Sequence, residues 1–172
     1  MSKAVLISIR PEWVDKILSE KKTLEVRKTR PTLEPPFKCY IYCTLDGLKH
    51  PFGIAYGRVV GEFVCDNVIV DTKGENCDIL CAQGCMSLGQ VNSYGGNRKL
   101  YGWHISDLKI YDTPKELNEF WFPPELYCEK ERCGGCPYDQ VADVNGEYSF
   151  DCEWKRPLTR PPQSWCYVEE LK

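Results

Sequence analysis

The chain has only two histidines in 172 residues. His104 stands far from the cysteine-rich stretch near the C-terminus, so it reads as a hydrogen-bonded structural residue rather than a metal ligand or base. No apolar run approaches the roughly 20 residues that cross a bilayer. The N-terminus lacks the apolar core typical of a signal peptide. A cytoplasmic protein with no membrane partner is therefore expected. A basic bias is also missing. Lys and Arg number 22 against 25 Asp and Glu, for a net charge of −3. Bulk electrostatic attraction to nucleic acid is thereby excluded, and any such contact must come from a local patch. A nucleoside pocket is not excluded, because it needs hydrogen bonds and stacking more than charge. Eleven cysteines, an odd number, in a reducing compartment do not make a disulfide framework. The 42% hydrophobic share excludes a disordered chain, and no internal repeat is present.

What is there begins with Val5-Leu6-Ile7-Ser8-Ile9, a short apolar run that predicts a buried strand. Pro11 suits the first position of a helix, with Glu12 in its first turn. Trp13, Val14, Ile17 and Leu18 repeat at helical spacing and give that helix one apolar face. Lys21 and Lys22 sit near its C-terminus, where positive charge is favoured. The following Thr23-Leu24-Glu25-Val26-Arg27-Lys28 alternates. It predicts a strand with Leu24 and Val26 on one face, Glu25 and Arg27 on the other. Two readings stand for that polar face: a pocket that uses Lys22, Glu25 and Arg27 together, or an exposed ion pair of little consequence. Lys21, Lys22, Arg27, Lys28 and Arg30 are also one candidate for a local basic patch, either a nucleic-acid contact or a solvated face.

Glu20-Lys-Lys-Thr-Leu-Glu-Val-Arg27, placed between a helix and a strand, resembles the signature of ASCH domains in the PUA-like superfamily. That family carries G-x-K-x-x-E-x-R after its first helix. Lys22, Glu25 and Arg27 match, and Lys21 stands where the family usually has Gly. The opening Leu6-Ile-Ser-Ile-Arg-Pro-Glu-Trp-Val-Asp-Lys-Ile-Leu18 is similar to small phage and prophage versions. The resemblance implies a partly open, mainly antiparallel β-barrel with helices at its rim, and an association with RNA or modified bases. It also implies a possible amidohydrolase acting on an N-acylated nucleoside. A bacterial relative of that kind uses Lys, Thr and Glu. Lys22 matches the Lys, but the Thr position is Glu25 here and the second carboxylate has no clear match, Glu62 and Glu75 being only guesses. As an enzyme the chain would work through Lys22 and Glu25.

The remaining sequence reads as one α+β domain over 1–172, with five or six short strands and two or three helices. Lys38–Leu45 and Arg58–Val64 are predicted strands that place Cys39, Cys43 and Cys65 in the core as small apolar residues. Cys77, Cys81 and Cys85 recur every fourth residue and suit one stripe of a helix. Leu100–Tyr111 predicts a strand broken near Asp107, Thr113-Pro-Lys-Glu116 a helix start, and Gln163–Glu169 a closing strand. Trp103, Gln163, Ser164 and Trp165 are further candidates for the pocket, since aromatic faces stack bases and Gln or Ser can read base edges. For both tryptophans the alternative is core packing. Replacing Lys22 by Ala is expected to cost less than about 1 kcal/mol of stability, as at a surface position.

Residues 123–162 are rich in Pro, Cys and charge and read as an insertion before the last strand. Cys128, Cys133, Cys136 and Cys152 follow the spacing C-x4-C-x2-C-x15-C, with Gly134 and Gly135 permitting a tight turn. Four thiolates so placed can hold structural zinc, with Cys166 as a possible substitute; the alternative is a loop of reduced thiols. Such an insertion also fits a phage-borne inhibitor or regulator that contacts a host protein. Elemental analysis of purified protein should find about one zinc per chain if the four cysteines form the site. Metal-free protein that melts unchanged with chelator would exclude it.

Overall fold

The structure, a computed structural model, describes residues 2–45, 56–123 and 156–171. The cysteine set Cys128, Cys133, Cys136 and Cys152 lies outside the described residues, and zinc there stays an expectation of the sequence.

Among the described residues eight strands form two sheets rather than one closed barrel, with three α-helices against them. The larger sheet runs β7 (Ser106–Lys115), β4 (Arg58–Cys65), β3 (Phe37–Cys43), β1 (Lys3–Ile9) and β8 (Trp165–Glu169). The smaller runs β2 (Leu24–Arg27), β6 (Leu100–His104) and β5 (Val68–Asp71). Every ladder is antiparallel except β1 with β3, which run parallel in the register Val5–Cys39 to Ile9–Cys43. That exception has a topological cause. The chain leaves β1 through α1 (Pro11–Leu18) and β2 of the other sheet, and returns as β3 in the original direction.

The continuous apolar run of β1 is covered on both faces. Val5, Ile7 and Ile9 pack with Val14 and Ile17 of α1 and with Cys39, Ile41, Cys43, Phe63, Cys65 and Trp103. Ala4 and Leu6 point the other way, onto Tyr40, Val59, Phe120, Leu158 and Val168. The cysteines of β3 and β4 are thus small core residues, as their alternation indicates. A third cluster joins Leu24 and Val26 of β2 to Leu80 of α2 (Cys77–Gly84), Val91 of α3 (Leu88–Gly95) and Leu100. Cys77 and Cys81 share one stripe of α2 with sulfurs 4.0 Å apart, while Cys85 leaves the helix as its left-handed cap at φ 54°. Among the described residues, no group of three or more His, Cys, Asp or Glu is placed to hold a metal. None of the described helices is long and apolar enough to cross a membrane.

Two expectations change. The strand from Leu100 does break near Asp107, at Ile105, and resumes as β7, which contains Asp107 at φ 47° and runs through Thr113 and Pro114 to Lys115. Pro114 is tolerated because β7 is the sheet's edge strand and has no ladder to donate to on its open side. The capping pattern moves to Glu116 and Glu119 around a single 3-10 turn, Leu117–Glu119, after which Phe120 is drawn into the core. The strand count, eight among the described residues, also exceeds the expected five or six, because the four-residue β5 gives little pattern and the strand expected over Leu100–Tyr111 divides into β6 and β7.

Gly61 in β4 marks where two strands press closest. A Cβ there would lie 2.6 Å from the carbonyl oxygen of Lys109. Gly61→Ala should therefore lower the unfolding free energy by about 1–3 kcal/mol, the range of overpacked sites. Gly89→Ala, whose Cβ would meet nothing nearer than Ser87 Oγ at 4.0 Å, should not. Urea unfolding of both variants checks the contrast, which disappears if β4 and β7 part freely.

Candidate functional site

The charged turn after α1 is tied to that helix through its backbone. Lys21 and Lys22 both donate N–H bonds of 2.9 Å to the carbonyl of Lys16, and Thr23 donates to Gln83 at 3.0 Å. Lys22 is thereby aimed inward, with only 3% of its surface exposed. Its ammonium donates to the carbonyl of Gly84 at 2.8 Å, at the C-terminal end of α2, where the helix dipole favours a cation. It also lies 5.1 Å from the centre of the Trp13 ring and 3.5 Å from Glu25 Oε2. Glu25 Oε1 lies 2.9 Å from Arg27 Nε. That Nε makes no aligned hydrogen bond, so the contact is ionic. The rest of the guanidinium donates to the backbone of Ser8 at 2.6 Å and to Ser164 Oγ at 3.4 Å.

The alternation seen in the sequence is real, but its polar face is not a surface. Glu25 and Arg27 are both buried, as are Leu24 and Val26 behind them. The surface-pair reading is overturned, and with it the expectation for Lys22→Ala. Removing Lys22 strips Glu25 of a cation in a site nearly closed to water, which costs about 1–3 kcal/mol. Burial is the largest influence on Lys22 and holds its pKa below the usual lysine range, partly offset by the Glu25 charge.

The triad forms the floor of a cleft of about 1390 Å³. Of the residues singled out in the sequence, Lys22, Glu25, Arg27, Lys28, Gln163 and Ser164 line it. Arg30 does not, and pairs with Glu34 at 3.4 Å. Trp103 is fully buried, edge-on to Phe37 and Trp165, so core packing wins there. Trp165 is half-buried and does not itself line the cleft; it packs on Tyr167 and donates its indole N–H at 3.0 Å to Oγ1 of Thr29, a cleft residue. Glu62 serves Tyr111 and Lys38 elsewhere, and neither it nor Glu75 reaches the cleft. The half-buried Cys166 packs with the Leu6 face of the core, and burial pushes its thiol up to about 12.

Sequence reasoning missed the walls. Trp13 of α1 and Tyr94 of α3 both face the cleft, and Lys28 Nζ lies 4.7 Å from the centre of the Tyr94 ring. Arg10, Arg98 and Thr44 line it as well. A signal for α3 was present in Ser87-Leu-Gly-Gln90, a capping box in which Ser87 Oγ accepts from Gln90 N and Gln90 accepts from Ser87 N.

No family model matches the sequence, and no curated protein matches it. The fold does have likenesses among solved structures. ASCH from Zymomonas mobilis superposes with a TM-score of 0.61 at 19% identity, over 97% of this chain and 88% of that one. Two single-substitution variants of ZmASCH behave alike. One gives 0.61 at 18% identity over 97% and 89% of the two chains, the other 0.62 at 19% over 98% and 92%. The chain thus has the ASCH fold that its charged turn suggested.

The depressed Lys22 pKa has a signed consequence. The unfolded chain binds the Lys22 proton more tightly than the folded one, so this group's contribution to stability rises as pH climbs towards 10.5. The unfolding free energy of the native protein minus that of Lys22→Met should accordingly increase from neutrality to pH 10.5. Groups common to both proteins cancel in that difference. A flat or falling difference in urea titrations would show that the ammonium is not held at a disadvantage.

Proposed function

We propose that the cleft recognises a nucleobase, carried by RNA or by a free modified nucleoside. The observation behind this reading is the buried Lys22–Glu25–Arg27 set at the cleft floor. It offers one acceptor group and two cationic donors at fixed positions, the mixture that reads a base edge. Trp13 and Tyr94 bring aromatic rings to the cleft, on which a base would stack beside or in place of the lysine ammonium groups that now lie over them. The exposed amide of Gln163 and the hydroxyl of Ser164 add adaptable hydrogen bonds.

A second reading, hydrolysis of an N-acylated nucleoside, gains from two features. The lowered pKa of Lys22 makes it a better proton acceptor than an ordinary lysine. Thr44 and Ser164 bring hydroxyls to the same cleft, although Glu25 occupies the family's Thr position. Incubation with acetylated cytidine separates the two readings: release of acetate with turnover selects the enzyme, and unchanged substrate selects the binding module.

A thermal-shift panel of modified nucleosides and short RNAs tests the main reading. A true ligand should raise the melting temperature progressively with the logarithm of its concentration. Gln163→Ala should weaken its binding by about 3- to 10-fold, one hydrogen bond's contribution, with the unliganded melting temperature unchanged. A panel in which no base-bearing compound shifts the melt would overturn the reading.

A further inference from the structure

The chain as a whole is acidic, at −3, yet its cleft is not. Among the described residues, Arg10, Lys22, Arg27, Lys28 and Arg98 line it against two acids, Glu12 and Glu25. These charges divide by depth. On the floor, Glu25 answers Lys22 and Arg27. At the mouth, Arg10, Lys28 and Arg98 are exposed, and among the described residues none of them has an acidic group within ion-pair distance. They come from three separate places: the N-cap of α1, the residue after β2, and the turn beyond α3. A solvated face would not need three elements to deliver its cations to one opening.

Tyr94 shows that the mouth and the floor meet. Its hydroxyl lies within reach of the charges of Arg27, Glu25 and Arg10 and of the Lys28 backbone. Arg27, nine-tenths buried, still has an Nε–H without an aligned acceptor. The cleft, about 1390 Å³, is also larger than the 300–1,000 Å³ of a typical small-molecule site. A bare nucleoside would leave the mouth and its cations unused.

We propose that Arg10, Lys28 and Arg98 form a phosphate subsite at the mouth of the cleft, so that its ligand is a phosphorylated nucleoside, either a free nucleotide or one residue of an RNA strand. The inference rests on the nucleobase reading of the floor. The floor selects the base, and the mouth binds the negative charge attached to it. Arginine suits that task because its planar fork meets two phosphate oxygens at once.

Titration calorimetry with three sets of probes tests it: ribonucleosides, their 5′-monophosphates, and a mixed-sequence RNA of about eight nucleotides. The phosphorylated probes should bind about tenfold or more tightly than the nucleosides, as one charge-assisted hydrogen bond would give. Arg10→Ala combined with Arg98→Ala should abolish that gain and leave nucleoside affinity and melting temperature unchanged. For the RNA, the same double change should reduce the slope of log affinity against log salt by about 1.4, two phosphate contacts' worth on a single strand. Gain with the monophosphates identifies a free nucleotide as sufficient, and gain with RNA alone identifies the strand. Nucleosides that bind as tightly as their phosphates, or a double variant with unaltered phosphate gain, overturn the subsite while the nucleobase reading stands. If no base-bearing probe binds, both fall.

Discussion

Glu25 is buried where water scarcely reaches, and Lys22 and Arg27 flank it on either side. Burying a carboxylate alone is costly, and burying two cations is worse, so none of the three can be placed without the others. Each partner is in turn fixed by a different part of the fold. Lys22 is held by the end of α2, and Arg27 by the backbone of β1 and by Ser164 next to β8. The smaller sheet is joined to the larger through this ion set as well as through apolar packing. Such a set is weak as a source of stability but strong as a specifier of geometry. It settles how β2 sits against β1, and therefore where the cleft floor lies.

What could be read in the sequence was local. The strand, helix and strand of the first thirty residues each carry a periodic signal within a few residues, and all three are present as expected. The alternation of Leu24, Glu25, Val26 and Arg27 assigned the faces correctly and left their exposure open. A strand's own pattern shows which side chains share a face but not what will cover it, and here Ser164, 137 residues further on, helps to do so. Thr113-Pro114 satisfied the local rules for a helix start and lost to pairing with β4, whose register at Val59–Lys115 only the tertiary fold supplies. Trp103 could not be assigned to core or pocket from its neighbours, because Phe37 and Trp165, which enclose it, are remote in sequence.

The same limit explains the missing half of the site. The cleft gathers residues from the start of α1, the end of β2, the edge of β3, α3 and the approach to β8. A short charged motif reports one of these segments. The aromatic wall from α3 has no sequence proximity to it and no signal of its own beyond a helix cap. Charge behaves in the same way: the net value of the chain gave no hint that its cations would converge on one opening.

The described residues on either side of the cysteine-rich segment meet one another. The chain reaches Phe120, Trp121 and Phe122 and comes back at Arg156, Pro157 and Leu158 directly alongside. Trp121 bridges to Pro157, and Leu158 N–H bonds the carbonyl of Phe120 at 2.8 Å. Phe120 and Leu158 are both fully buried, so the stem is anchored in the core itself. Contacts between these two arms depend little on the length of chain that joins them, since the entropy of closing a loop grows only slowly with its length. For protein engineering, the paired arms are a natural place to splice a fluorescent reporter or a foreign epitope, because their own contacts bring the two ends together.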